Sequence, residues 1–308
     1  MKKLVSVLLS ITMILTLSMS AFAAESISAG KATTITEVEN LLNSLPNTTT
    51  IHATEREMVA DMLASNAITR QELNQRLTDL SHKPDSMLRQ EGYNDTQIAV
   101  IKSYTENVDA YEHVFGSNSR SARADATVEI RYGLAGSNTQ KDIGIAYAIN
   151  WSACPFFTFT DSFGIGWIAA DSNSYEVMTK TNSASGQVQY YTVNGADAGL
   201  YRDITMNTSS NSIVTGNPIL GSADGNYGKK MGGYIQLSTQ SGSSNISTIQ
   251  VYVAYAHTTV KPSISASITI GWKKVTGAIS FSANSNQSIM AQGHHTFKYS
   301  DQGEIVAK

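Results

Sequence analysis

Ser263-Ile264-Ser265-Ala266-Ser267-Ile268-Thr269-Ile270-Gly271 alternates hydroxyl and apolar residues without a break. A period of two is that of a β-strand with one dry face and one wet face. The same alternation runs through Thr127-Val128-Glu129-Ile130-Arg131-Tyr132, Gln187-Val188-Gln189-Tyr190-Tyr191-Thr192 and Gln250-Val251-Tyr252-Val253-Ala254-Tyr255. Turn pairs at Asn194-Gly195, Asp224-Gly225 and Ser241-Gly242 separate these runs with no helical stretch between them, which predicts antiparallel pairing. Residues 126–308 are therefore expected to form an antiparallel β-sandwich, jelly-roll-like. No repeat at a fixed period points to a propeller or solenoid.

Upstream the period changes. Between Thr36 and about Phe115 the chain reads as short helices with recognisable starts. Thr54-Glu55-Arg56-Glu57 and Thr69-Arg70-Gln71-Glu72 place a hydroxyl and a carboxylate three residues apart, the spacing of a capping box. Each precedes an apolar stripe: Met58, Met62 and Leu63, then Leu73, Leu77 and Leu80. A further helix is predicted from Pro84 to Gly92, and Asn94 to Gln97 caps another that bears Ile98, Ile101 and Tyr104. The fold class expected is α+β as two segregated domains, a small N-terminal helical bundle (25–115) followed by the sandwich (126–308). Small polar residues at 116–125 read as a flexible linker, and Arg120 and Arg123 within it would suit a trypsin-like protease. Cleavage there would make the helical part a pro-region; an uncut linker is the plainer expectation.

Residues 1–24 read as a secretory signal peptide. Lys2 and Lys3 precede an apolar stretch from Leu4 to Met19, and Ala21-Phe22-Ala23-Ala24 offers small residues for cleavage. A secreted, extracellular protein follows. Cys154 is the one cysteine, so no intramolecular disulfide is expected, and no later segment is a membrane span. Residues 25–125 carry 15 acidic and 9 basic side chains, and 126–308 carry 10 and 11. With no basic stripe to meet phosphates, nucleic acid is not an expected partner, and the Gly-Tyr corner at 92–93 reads as structural. In arrangement the chain is similar to exported proteins of Gram-positive bacteria in general, and no motif marks one family.

Chemistry-bearing patterns are weak. Cys154, with His257, His294 and His295 in the same half, admits a thiol nucleophile, but aromatic and small neighbours supply nothing to lower its pKa, so a buried structural thiol is the expectation. Asp161, Asp171, Glu176, Asp197, Asp203 and Asp224 would have to include a pair across a cleft to serve a glycosidase. Most sit beside turn residues. Asp171-Ser172-Asn173-Ser174 lacks the glycine and glutamate of a calcium loop, and His294 and His295, adjacent in a strand, face opposite ways. The Gly221–Gly233 stretch departs from a phosphate-binding loop at Ala223 and Lys230 and reads as a surface loop. No catalytic residue, metal or cofactor is assigned.

Two readings need no catalytic residues. Tyrosine and tryptophan rings among Asn and Ser side chains suit a glycan or cell-surface ligand, and Trp151, Trp167, Tyr227 and Trp272 are the candidate binding residues. A non-enzymatic secreted protein that binds a surface or polymer, with carbohydrate the first candidate, is the leading expectation. The alternative is a β-pore-forming toxin that inserts an amphipathic hairpin at 263–281, with its turn at Gly271-Trp272-Lys273-Lys274. An exported hydrolase stands third.

Overall fold

The computed structural model describes residues 34–66, 68–116, 125–136, 140–157, 161–210, 212–221, 225–258, 264–269, 278–283, 287–300 and 305–306. Residues 1–24, read as a signal peptide, most of the expected linker with Arg120 and Arg123, and Trp272 lie outside the described residues. Residues Thr33–Lys308 form one compact unit.

Two six-stranded sheets make the body. The first holds β1 (Thr49–Thr54), β2 (Thr127–Gly136), β3 (Asp142–Trp151), β9 (Asn226–Thr239), β5 (Thr179–Thr192) and β6 (Asp197–Asp203), in that spatial order. The second is ordered β14 (Ile305–Val306), β13 (Gln287–Tyr299), β10 (Thr248–Thr258), β4 (Ser162–Ala170), β8 (Ile213–Gly216) and β7 (Met206–Ser210). Neighbouring strands within each sheet run antiparallel. A separate two-stranded sheet pairs β11 (Ile264–Thr269) with β12 (Ala278–Ala283).

The alternating runs explain the facing. Val128, Ile130 and Tyr132 on β2, Ile145, Tyr147, Ile149 and Trp151 on β3, and Val251, Val253 and Tyr255 on β10 share one buried cluster. The two sheets meet there: the rings of Tyr147 and Phe163 lie 5.1 Å apart, and the Trp151 indole N–H donates to the Tyr255 hydroxyl at 3.0 Å.

The short helices are α1 (Ile35–Ser44), α2 (Glu55–Ala64), α3 (Arg70–His82), α4 (Asp85–Gln90), α5 (Asp95–Lys102) and α6 (Ala110–Phe115). Capping boxes open α1, α2, α3 and α5, three of them at the positions the spacing predicts. After α4, Gly92 takes φ +98°, and its Cα faces Tyr227 so closely that an added Cβ would stand 2.9 Å from the Cβ of that ring. Any other residue there meets both backbone strain and a clash.

A helical bundle standing apart from the strands is not what the packing shows. β1, inside the stretch that reads as helical, pairs along its whole length with β2. Met58, Met62, Leu73, Leu77 and Leu88 join the same cluster as the sandwich interior. The helices are fastened to residues 154–157, just beyond β3. The buried Glu55 carboxylate accepts the backbone N–H groups of Phe156 (3.0 Å) and Phe157 (2.9 Å), Tyr93 donates to the Phe156 carbonyl at 2.7 Å, and Gln97 donates to that of Cys154.

The outer face of the first sheet carries α1. Ala146 and Ala148 on β3 pack with Val38 and Leu42, and at Gly144 a Cβ would collide with the Tyr234 side chain. Small outward residues thus leave room for a helix on a sheet already packed from the other side. The expected loop at Gly221–Gly233 is strand from Asn226 onward. Its glycines mark close approaches, since a Cβ at Gly233 would stand 1.9 Å from the Ser185 carbonyl oxygen.

Candidate functional site

A row across the first sheet's outer face, bordered by α1, is built by register. His52 pairs with Glu129, Glu129 with Asn150, Asn150 with Lys230, Lys230 with Gln189 and Gln189 with Tyr201, one residue from each of the six strands. The residues beside them in sequence, Val128, Ile130, Ile149, Trp151, Met231, Val188 and Tyr190, are buried in the sandwich. Alternation therefore places this row on the opposite face, where it forms a polar line across the sheet.

Neighbouring groups tie the row together. Gln189 donates to Asp197 Oδ2 at 2.8 Å and to the Tyr201 hydroxyl at 3.1 Å, and that hydroxyl donates to Asp197 at 3.5 Å. Lys230 Nζ reaches both oxygens of Glu39 on α1, at 2.9 and 3.1 Å. The Asn150 amide nitrogen donates to the same carboxylate at 3.5 Å, while its carbonyl oxygen is buried and has no protein partner among the described residues. Lys229 stands over the Tyr191 ring at 5.3 Å. Beside the row, Gln187 donates to Asp203 at 3.1 Å, and Tyr201 presents its ring at 43 % exposure.

Two groups of the strip have shifted pKa values. Burial works against the charge of Lys230, but the hydrogen bond and the charge of Glu39, with Tyr191 beside them, outweigh it and hold the pKa above the ordinary lysine value. Burial raises the Tyr191 phenol, and Lys230 only partly offsets it. The strip thus holds amides, carboxylates, an ammonium and an exposed ring in fixed positions.

The residues chosen from sequence lie elsewhere. Trp151 and Trp167 are each 1 % exposed, and Trp167 donates its indole N–H to Thr179 Oγ1 at 2.9 Å. Tyr227 is buried against Gly92. These rings fill the interior and present no face to a ligand. Gln189, Asn150, Lys230 and Glu39 were not singled out, although the alternation in Gln187-Val188-Gln189-Tyr190 carried the signal for the first of them.

Other candidate sites resolve into structure. The Cys154 thiol is buried, and burial, with the charges of Glu55 and Glu91, pushes its pKa well up, so it stays protonated and non-nucleophilic. Asp161 is buried and hydrogen-bonded to the Tyr255 hydroxyl. Asp171 accepts from the N–H groups of Asn173 and Tyr175, both at 2.9 Å, so it holds its own turn. His294 stacks on Tyr252 while His295 meets Phe297 edge-on. Among the described residues no group of three or more His, Cys, Asp and Glu is placed to hold a metal ion, and no helix is long and apolar enough to cross a membrane.

No family model matches the sequence, and no curated protein is similar to it. Among solved structures the chain is similar to the collagen-binding subdomain of the Enterococcus faecalis surface protein ACE, at 6 % identity over 54 % of this chain and 92 % of that one, with a TM-score of 0.26. A Streptococcus parasanguinis Fap1 fimbriae structure is 10 % identical over 58 % and 83 %, with a TM-score of 0.26. The collagen-binding domain of a Staphylococcus aureus adhesin is 7 % identical over 54 % and 95 %, with a TM-score of 0.24. At these scores the likeness is loose.

Proposed function

We propose that this is a secreted, non-enzymatic protein that binds a cell surface or polymer, with an envelope glycan as the ligand class, through the outer strip of the first sheet. The observation that carries the reading is the cross-strand row from Asn150 through Lys230 and Gln189 to Tyr201, which ends on an exposed ring held beside the exposed Asp197 by fixed hydrogen bonds. A sugar ring has an apolar face for Tyr201 and hydroxyls for Asp197, while the buried Gln189 holds the two in place from beneath. Asp197, Asp203 and Glu39 are engaged in hydrogen bonds or an ion pair, so binding without turnover is the expectation. The leader at residues 1–24 would deliver the protein to the outside of the cell.

Co-sedimentation of the purified protein with insoluble cell-wall glycan tests this. Saturable recovery that falls in Tyr201→Ala and in Gln189→Ala, with unchanged thermal midpoints, supports the strip. Recovery that is absent, or equal in both variants, sinks it.

A further inference from the structure

The β11–β12 hairpin pairs with neither large sheet among the described residues. Its register aligns Ile264 with Ala283, Ala266 with Phe281 and Ile268 with Ile279, an apolar row; Ser265 with Ser282, Ser267 with Ser280 and Thr269 with Ala278 make the other row. None of these twelve residues is charged. Both β11 and β12 neighbour β4, and β12 also neighbours β10 and β13.

The floor beneath is unusual. Phe163, Ile165, Trp167 and Ala169 of β4 face the sandwich interior, so Ser162, Gly164, Gly166, Ile168 and Ala170 face outward, and all five are buried. On β10 the outward Ala254 and Ala256 are buried as well. An outward face of an edge-free central strand that is buried must be roofed, and the hairpin is the described element lying against it. Apart from Ile168 the floor is made of small residues, and among the described residues no ladder hydrogen bonds join it to the roof. A lone two-stranded hairpin is marginally stable at best, and among the described residues this one has no ladder bonds to either large sheet, so its detachment would cost less than opening one of them.

We infer that the hairpin is a stowed membrane-inserting element, which leaves the second sheet and pairs with hairpins of other copies to form a transmembrane β-barrel. A single inserted hairpin would leave both edges unsatisfied in hydrocarbon, so closure with other copies is required. A tilted spanning strand needs roughly 9–11 residues. The alternation in sequence reaches beyond the paired positions, over 263–271 on one limb and 275–283 on the other. One row is apolar enough for lipid, and the Ser/Thr row suits a wet lumen.

Vesicles of equimolar phosphatidylcholine and phosphatidylglycerol loaded with a self-quenching dye provide the test. The purified protein releases the dye, and Ile268→Lys abolishes release while leaving recovery on glycan unchanged. Single cysteines at Ser265, Ala266, Ser267 and Ile268, each carrying an environment-sensitive fluorophore, give a second readout, because the buried Cys154 does not compete for label. Blue-shifted emission on vesicles at 266 and 268 but not at 265 and 267 supports insertion, even where the lysine variant fails to fold. No dye release, or the same emission change at all four positions, overturns it. Glycan recovery is scored separately, so the strip and the hairpin stand or fall independently.

Discussion

The indole of Trp151 and the phenol of Tyr255 join the two sheets: the Trp151 N–H donates to the Tyr255 hydroxyl at 3.0 Å, with the rings 6.1 Å apart at a steep angle. The same hydroxyl is bonded to the buried Asp161. Tyr255→Phe keeps the ring and removes both bonds. It is expected to destabilise the fold by about 1–3 kcal/mol, the usual cost of stripping partners from buried polar groups. A urea midpoint that falls with an unchanged m-value checks it.

Glu55 closes the helices onto the end of β3 through two backbone N–H groups. In Glu55→Gln an amide N–H₂ must face one of those donors. Bonds to a charged acceptor are worth about 1.5–3 kcal/mol each, so a loss of about 2 kcal/mol or more is expected. Because helices and sandwich share one core, unfolding followed by tyrosine fluorescence and by far-ultraviolet dichroism should remain coincident. Separate transitions in the wild type would show that the two parts fold on their own.

The Glu39–Lys230 pair pins α1 at the border of the strip. Since the folded pKa of Lys230 is raised, its contribution is fully present below the ordinary lysine value of 10.5 and is lost as pH rises through the higher folded value. At neutral pH the pair should be worth about 0.5–1 kcal/mol in a double-mutant cycle with Glu39→Gln and Lys230→Met. Repeating the cycle at rising alkaline pH should bring the coupling toward zero once the raised Lys230 pKa is passed. A coupling that persists there would mean that packing, not charge, fixes α1.

The Cys154 thiol should be inert to a disulfide reagent in the native protein at neutral pH and react fully in urea, because burial and the nearby carboxylates keep it protonated. Rapid native labelling would refute that.

What was legible in the sequence was local. The capping boxes at Thr54, Thr69 and Asn94 lie where their three-residue spacing puts them, and Gly92 ends α4 at positive φ. The hairpin read from alternation between 263 and 281 is paired over Ile264–Thr269 and Ala278–Ala283. Strand β1 was missed because Thr49-Thr50-Ile51-His52-Ala53-Thr54 is short and takes its identity from pairing with β2, more than seventy residues away. Large rings were the natural choice for a binding face, yet Trp151 and Trp167 serve the interior, since burial is a property of both sheets together. The strip joins residues from six strands and one helix, a juxtaposition that only register reveals.

The pairing of β1 with β2 also governs what proteolysis can do. A cut at Arg120 or Arg123 would sever the chain between the two strands without separating them, for six paired residues and a common core still hold β1 and α2–α6 to the sandwich. The cleaved product would behave as a two-fragment complex that travels as one particle and comes apart only in denaturant. Shedding the N-terminal part would bare the edge of β2, a template for strand addition by another chain.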